Sequence, residues 1–126
     1  MRKPWRYFIG LSLARILYPL THGPIVKRSH TFFGDPMVLP LPSGLDIYLT
    51  GLKSHDSEIR LTRFLVQWTK PGMCVLDVGA HVGYYTLLMA RCVGSEGTVT
   101  AFEPAYSSYS FLARNCAGVP RVTVTS

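Results

Sequence analysis

The stretch that decides the fold is VLDVGAHVGYYT, Val75 to Thr86. An apolar run carrying one acid, Asp77, gives way to two glycines, Gly79 and Gly83, and then to residues that suit a helix. The pattern predicts a buried strand over Cys74 to Val78, a tight turn, and a helix from about Tyr84 to Cys92. Glycine in such a turn lets the chain reverse and lets a ligand approach the main chain without meeting a Cβ. Spacing excludes two phosphate cradles. A dinucleotide fingerprint needs G-x-G-x-x-G, whereas these glycines are spaced G-x-x-x-G. A P-loop needs a lysine after its last glycine, whereas Gly83 is followed by Tyr84 and Tyr85.

Downstream, TVTAFE predicts a second strand from Thr98, followed by Pro104, a helix from about Ser107 to Cys116, and a third strand starting at Arg121. Upstream, SHDSEIRLTRFLVQWTKPG predicts a helix capped by Ser54 or Asp56 and ended by Lys70-Pro71-Gly72. Leu61, Phe64, Leu65 and Trp68 recur at helical spacing, which predicts a stripe packed on the core. Strands alternating with helices of this length imply an α/β fold, a parallel βαβαβ unit that binds its ligand beyond the carboxyl ends of the strands. Still further upstream, Met37–Leu41 and Leu45–Leu49 flank Pro-Ser-Gly and predict a small β-hairpin.

The chain has 126 residues, enough for one domain, with a net charge of +6. All of that charge lies in residues 1–30, which hold six basic side chains and no acid, while residues 31–126 hold seven of each sign. The division predicted is therefore a basic, apolar extension over 1–30 and a neutral body over 31–126. A neutral body offers no electrostatic case for nucleic acid. Residues 4–20 read as a helix too short and too charged to span a bilayer. Two roles stay open for it: peripheral contact with a membrane surface, or docking on a protein. Cys74, Cys92 and Cys116 form no paired motif and His22, His30, His55 and His81 no ligand spacing, so no metal site is expected and the thiols read as reduced, in a cytoplasmic setting.

The acids select the ligand. Asp77, just before the turn, repels phosphate and attracts a cation, and Glu103 ends the second strand where an acid accepts both hydroxyls of a ribose. An ammonium, a sulfonium and a free ribose together describe S-adenosylmethionine. For His81, inside the turn, three readings stay open: it orients the loop, touches the methionine carboxylate, or faces solvent. The alternative is structural throughout, with Asp77 capping the turn, Glu103 pairing with a surface lysine, and the glycines serving packing.

The run from Lys70 to Cys116, with its KPG lead-in, VLDVGAHVGYYTLL, GSEGTV, and AFEP before a helix ending near an asparagine, resembles the opening half of an FkbM-type methyltransferase domain. The resemblance implies a class I, Rossmann-like methyltransferase fold, with a helix and a hairpin preceding the βαβαβ half. It implies S-adenosylmethionine as cofactor, and O-methylation of a hydroxyl on a sugar, glycan or small natural product. By position, Asp77, Gly79, Ala80 and Gly83 match the family's cofactor loop and Glu103 its ribose-binding acid, and His81 is counted with the cofactor-binding residues from its place inside the turn. Glu58 lies upstream, toward the methionine end. The family's catalytic residues have no counterpart up to Ser126, so no catalytic residue is assigned. The chain reads as a domain truncated at its third strand, weak or inactive alone. The competing expectation is a non-catalytic binding module acting through the cofactor, the N-terminal helix, or an open sheet edge that invites another copy.

Overall fold

The computed structural model describes residues 25–126 together with Ile9 and Ser12, so the helix expected over residues 4–20 and the roles attached to it lie outside the described residues. No helix among the described residues is long and apolar enough to cross a membrane. The chain divides into two compact units, residues 1–55 and residues 56–126.

In the first unit, β1 (Ile25–His30) pairs antiparallel with β2 (Pro36–Leu41), in a register running from Ile25 opposite Leu41 to His30 opposite Pro36. The boundary expected after residue 30 falls at the end of β1, inside this hairpin. The expected pairing is corrected here: Leu45–Thr50 is a helix, α1, and the strand partner of β2 comes from upstream. Leu-Asp-Ile-Tyr-Leu is too short for periodicity to separate strand from helix. Local hydrogen bonds decide it, with Tyr48 N–H donating to Gly44 O at 2.9 Å and Gly51 N–H to Ile47 O at 2.8 Å. Met37, Leu39 and Leu41 from alternate positions of β2 are buried, as are Leu45 and Ile47 of α1.

The second unit follows the expected alternation. Its elements are α2 (Asp56–Trp68), β3 (Cys74–Val78), α3 (Tyr84–Val93), β4 (Thr98–Phe102), α4 (Tyr106–Cys116) and β5 (Val122–Thr125). The three strands are parallel in the order β3-β4-β5, with Val75 opposite Val99 and Val99 opposite Val122. The βαβαβ half expected of a Rossmann-like fold is thus present. Period-2 alternation in β4 turns Val99 and Ala101 inward, both fully buried, and Thr98 and Phe102 outward. Met89, Ala90, Val93 and Val99 form the core cluster, with Leu65, Val75, Tyr85, Val119 and Val122 packed against it.

Two expectations about burial are corrected. The strand β3 is half-buried, because Leu76 and Val78 stay 68% and 81% exposed while Val75 and Asp77 face the helices. Along α2, Leu65 reaches the core cluster, but Leu61, Phe64 and Trp68 remain exposed. Amphipathic spacing identifies a helix without identifying what covers its face. The polar attachment of α2 to α3 is specific: the Tyr85 hydroxyl donates to the Glu58 carboxylate, while within α2 the Thr62 hydroxyl donates to Glu58 O at 2.8 Å.

Two outcomes follow from this packing. Gly83 sits at φ 89°, and a Cβ there would lie 2.9 Å from Leu112 Cδ1. Gly83→Ala is therefore expected to destabilise the unit by about 2–4 kcal/mol, from left-handed strain and overpacking together, read as a lower urea midpoint at unchanged slope. Burial, and then the Glu58 carboxylate, push the Tyr85 phenol well above its ordinary range. A raised folded-state value favours the protonated form. The contribution is thus complete below about pH 10 and lost only as pH rises through the higher folded value. Spectrophotometric titration should show a late-ionising phenol that is missing in Tyr85→Phe.

Candidate cofactor site

The parallel order brings the loops that follow β3 and β4 side by side at the carboxyl end of the sheet. Gly79 and Ala80 both donate their N–H groups to Phe102 O, at 2.9 and 3.0 Å, so the glycine turn leans onto the end of β4. Gly83 N–H closes the turn onto Ala80 O at 2.9 Å, and Gly83 O then accepts from Leu87 N–H as α3 begins. His81 holds a left-handed φ of 53°, uncommon for a residue with a side chain. That conformation aims its N–H at Glu103 Oε2, 2.8 Å away, and the imidazole-bearing residue itself is exposed.

Glu103 is the fixed point. It is 7% exposed, its Oε1 accepts from Ala105 N–H at 2.9 Å, and its own N–H donates to Thr125 O at 3.0 Å. The structure seats it on main-chain donors from both loops, in place of the surface lysine considered from sequence. Each carboxylate oxygen accepts one backbone N–H and keeps acceptor capacity for a further donor.

The two glycines have different tasks. At Gly79, φ 81°, a Cβ would meet nothing within 4 Å, so the absent side chain leaves open space beyond β3. At Gly83 the absent side chain makes room for Leu112 of α4. Ala80 is buried within the turn. Asp77 is half-buried and its Oδ2 accepts the Thr86 hydroxyl at 2.5 Å, which ties the acid to the first turn of α3. All six residues singled out in the sequence lie in or beside one turn.

Three further residues carry the geometry. Thr86 orients Asp77, Tyr85 orients Glu58, and Asn115 Nδ2 donates to Val82 O at 2.8 Å, holding the turn from the far end of α4. The only sequence signal for any of them was Asn115, which belonged to the recognised pattern without a role. Among the described residues no group of three metal-ligating side chains gathers. Chemically, the arrangement can accept hydrogen bonds from two neighbouring hydroxyls at Glu103 and favour a cation near Asp77.

Comparison with known proteins finds methyltransferases. The crystal structure of Pyrococcus horikoshii TYW2 in complex with MeSAdo superposes with a TM-score of 0.59 at 18% identity, covering 98% of this chain and 48% of that one. At that identity the likeness is one of fold, and the fold is that of class I methyltransferases. Protein-L-isoaspartate O-methyltransferase 1 of Arabidopsis thaliana is 33% identical over 79 residues, 63% of this chain and 31% of the relative. Protein-L-isoaspartate O-methyltransferase of Triticum aestivum is 28% identical over 92 residues, 73% of this chain and 37% of the relative. The chain thus spans about a third of the length of these curated relatives. The FkbM resemblance shares the class I methyltransferase fold with them, but the family model that matches is a different one. That model, Protein-L-isoaspartate(D-aspartate) O-methyltransferase (PCMT), covers residues 45–115, and the chain belongs to this family.

Proposed function

We propose that the protein carrying this chain is an S-adenosylmethionine-dependent methyltransferase whose acceptor is a protein carboxylate, the isoaspartyl group for which its relatives are named. One observation carries the cofactor reading: the Glu103 carboxylate, gripped by His81 N–H and Ala105 N–H at the carboxyl end of a parallel sheet. The acceptor rests on the family match.

The residues present fit the cofactor. Glu103 holds the ribose through its two hydroxyls, with the carboxylate already aligned by the main chain. Gly79, open where a Cβ would project, admits a ligand against the turn. Asp77, held by Thr86, places negative charge where the ligand is cationic. S-adenosylmethionine, when bound, supplies a methyl group on a sulfonium that departs as a neutral thioether. The residues of this chain bind and orient, and orientation supplies much of the rate in such a displacement. A carboxylate acceptor is ionised near neutral pH and attacks without losing a proton, giving a methyl ester. A sugar hydroxyl, the acceptor implied by the first resemblance, would call for a general base.

Titration calorimetry with S-adenosylhomocysteine should show binding that falls about tenfold or more in Glu103→Gln, since charge-assisted hydrogen bonds contribute about 1.5–3 kcal/mol each. NAD should give no heat. The acceptor is tested with a radiolabelled methyl donor offered an isoaspartyl peptide, its aspartyl counterpart and free sugars. Base-labile label on the isoaspartyl peptide alone is the expected result, and base-stable label on a sugar would replace the acceptor.

A further inference from the structure

In the first unit, Pro36 and Pro40 of β2 stand opposite His30 and Val26 of β1 and have no N–H to give across the pair. The ladder between the strands therefore runs through the alternate pairs, Ile25–Leu41, Lys27–Leu39 and Ser29–Met37. Thr31 continues it by donating its N–H to Asp35 O at 2.9 Å. The intervening residues of an antiparallel pair turn their N–H and C=O groups to the other side. Val26, Arg28 and His30 thus present theirs away from β2. The end of that edge confirms the direction, since Phe32, of the same parity, donates its N–H to Gly51 O at 2.7 Å. Gly51 fills this rung. Among the described residues, no main-chain partner continues the ladder along Arg28 and Val26.

The side chains on this edge carry charge of one sign. Lys27, Arg28 and His30 are exposed, and Val26 is 46% exposed. Successive residues of a strand point to opposite faces, so Arg28 stands on one face of the hairpin and Lys27 on the other. A strand laid beside β1 meets a cation whichever way its own side chains alternate. The acids of the unit lie elsewhere: Asp35 is in the turn after β1, and Asp46 is in α1, where its carboxylate accepts Ile47 N–H at 2.9 Å.

Charge selects the occupant. A second copy of β1 would set Lys27 and Arg28 against their own kind, and cationic edges block such self-pairing. Residues 1–24 of this chain include Arg2, Lys3, Arg6 and Arg15 and no acid, so they suit the edge no better. An acidic chain suits it on both faces. We propose that the free edge of β1 docks an extended, acidic segment of a partner polypeptide, which adds as a further strand and sets its carboxylates against Lys27 and Arg28. Main-chain hydrogen bonds to Val26 and Arg28 give affinity, and the two cations select charge. The inference concerns the first unit alone and stands apart from the cofactor reading.

The test uses the full chain and a fluorescent octapeptide of alternating Glu and Val, read by anisotropy. Saturable binding is expected, weakened about tenfold or more when the peptide is N-methylated throughout, which keeps its charge and removes every main-chain donor. The same octapeptide with Lys in place of Glu should not bind. The double variant Lys27→Thr, Arg28→Thr, substituted at exposed positions with a strand-favouring residue, should bind the acidic peptide about fivefold or more weakly. No saturable binding of the acidic peptide, equal affinity for its N-methylated form, or binding of the lysine peptide overturns the inference. Full affinity in the double variant overturns it too, since the cations of residues 1–24 would then hold the peptide. The N-methyl comparison uses the unsubstituted chain, so it decides the matter even where the variant fails to fold.

Discussion

The carboxylate of Glu103 accepts a backbone N–H from the loop after β3 and another from the loop after β4, while its own N–H joins β5. One residue, through its side chain and its own N–H, thereby knots together the ends of all three parallel strands. A buried carboxylate needs such partners, because an ionised group taken out of water without them is strongly disfavoured. The N–H groups of His81 and Ala105 in turn find in it a charge-assisted acceptor. The acid at this position is therefore structural before it is functional, and its alignment toward a ligand is a by-product of holding the loops.

Around that knot the local conformations agree with one another. His81 tolerates a left-handed φ because its N–H gains a charged acceptor, and Gly83 takes the same conformation because Leu112 fills the space beside it. Asn115 holds the turn through Val82 O, and Thr86 and Tyr85 hold the two acids from within α3. The turn between Gly79 and Gly83 is thus fixed from β4, α3 and α4 at once. A site built this way is organised before any ligand arrives, which lowers the ordering cost of binding.

The sequence was most legible where a short-range signal decided the outcome. The bounds of β3 and the onset of α3 were readable because Gly79 and Gly83 punctuate an otherwise apolar run. Asp77 and Glu103 were legible as paired acids because the parallel topology, itself readable from alternation, places strand ends together. Leu45–Thr50 was not legible, since six residues are too few for periodicity to separate strand from helix and the deciding bonds, Tyr48 N–H to Gly44 O and Gly51 N–H to Ile47 O, exist only once the turn has formed. The exposure of Leu61, Phe64 and Trp68 was equally hidden, because a stripe states a helix's polarity and not its partner. Thr86, Tyr85 and Asn115 escaped because their roles depend on partners brought near only by the fold; Asn115 and Val82 lie 33 residues apart. The choice between two methyltransferase families turned on resemblance over the same glycine turn, which both share.

The Phe102 carbonyl that accepts from both Gly79 and Ala80 has a consequence for strand alignment. In a strand, a shift of one residue moves every side chain to the opposite face. Were β3 to slip one place along β4, Asp77 would turn to the bare side of the sheet and Leu76 or Val78 would enter the helix layer. The slip would also carry the two N–H groups off the carbonyl they share. The same oxygen that shapes the turn is thus a phase marker for the sheet, counting off the residues between core and site so that the acid arrives on the correct side.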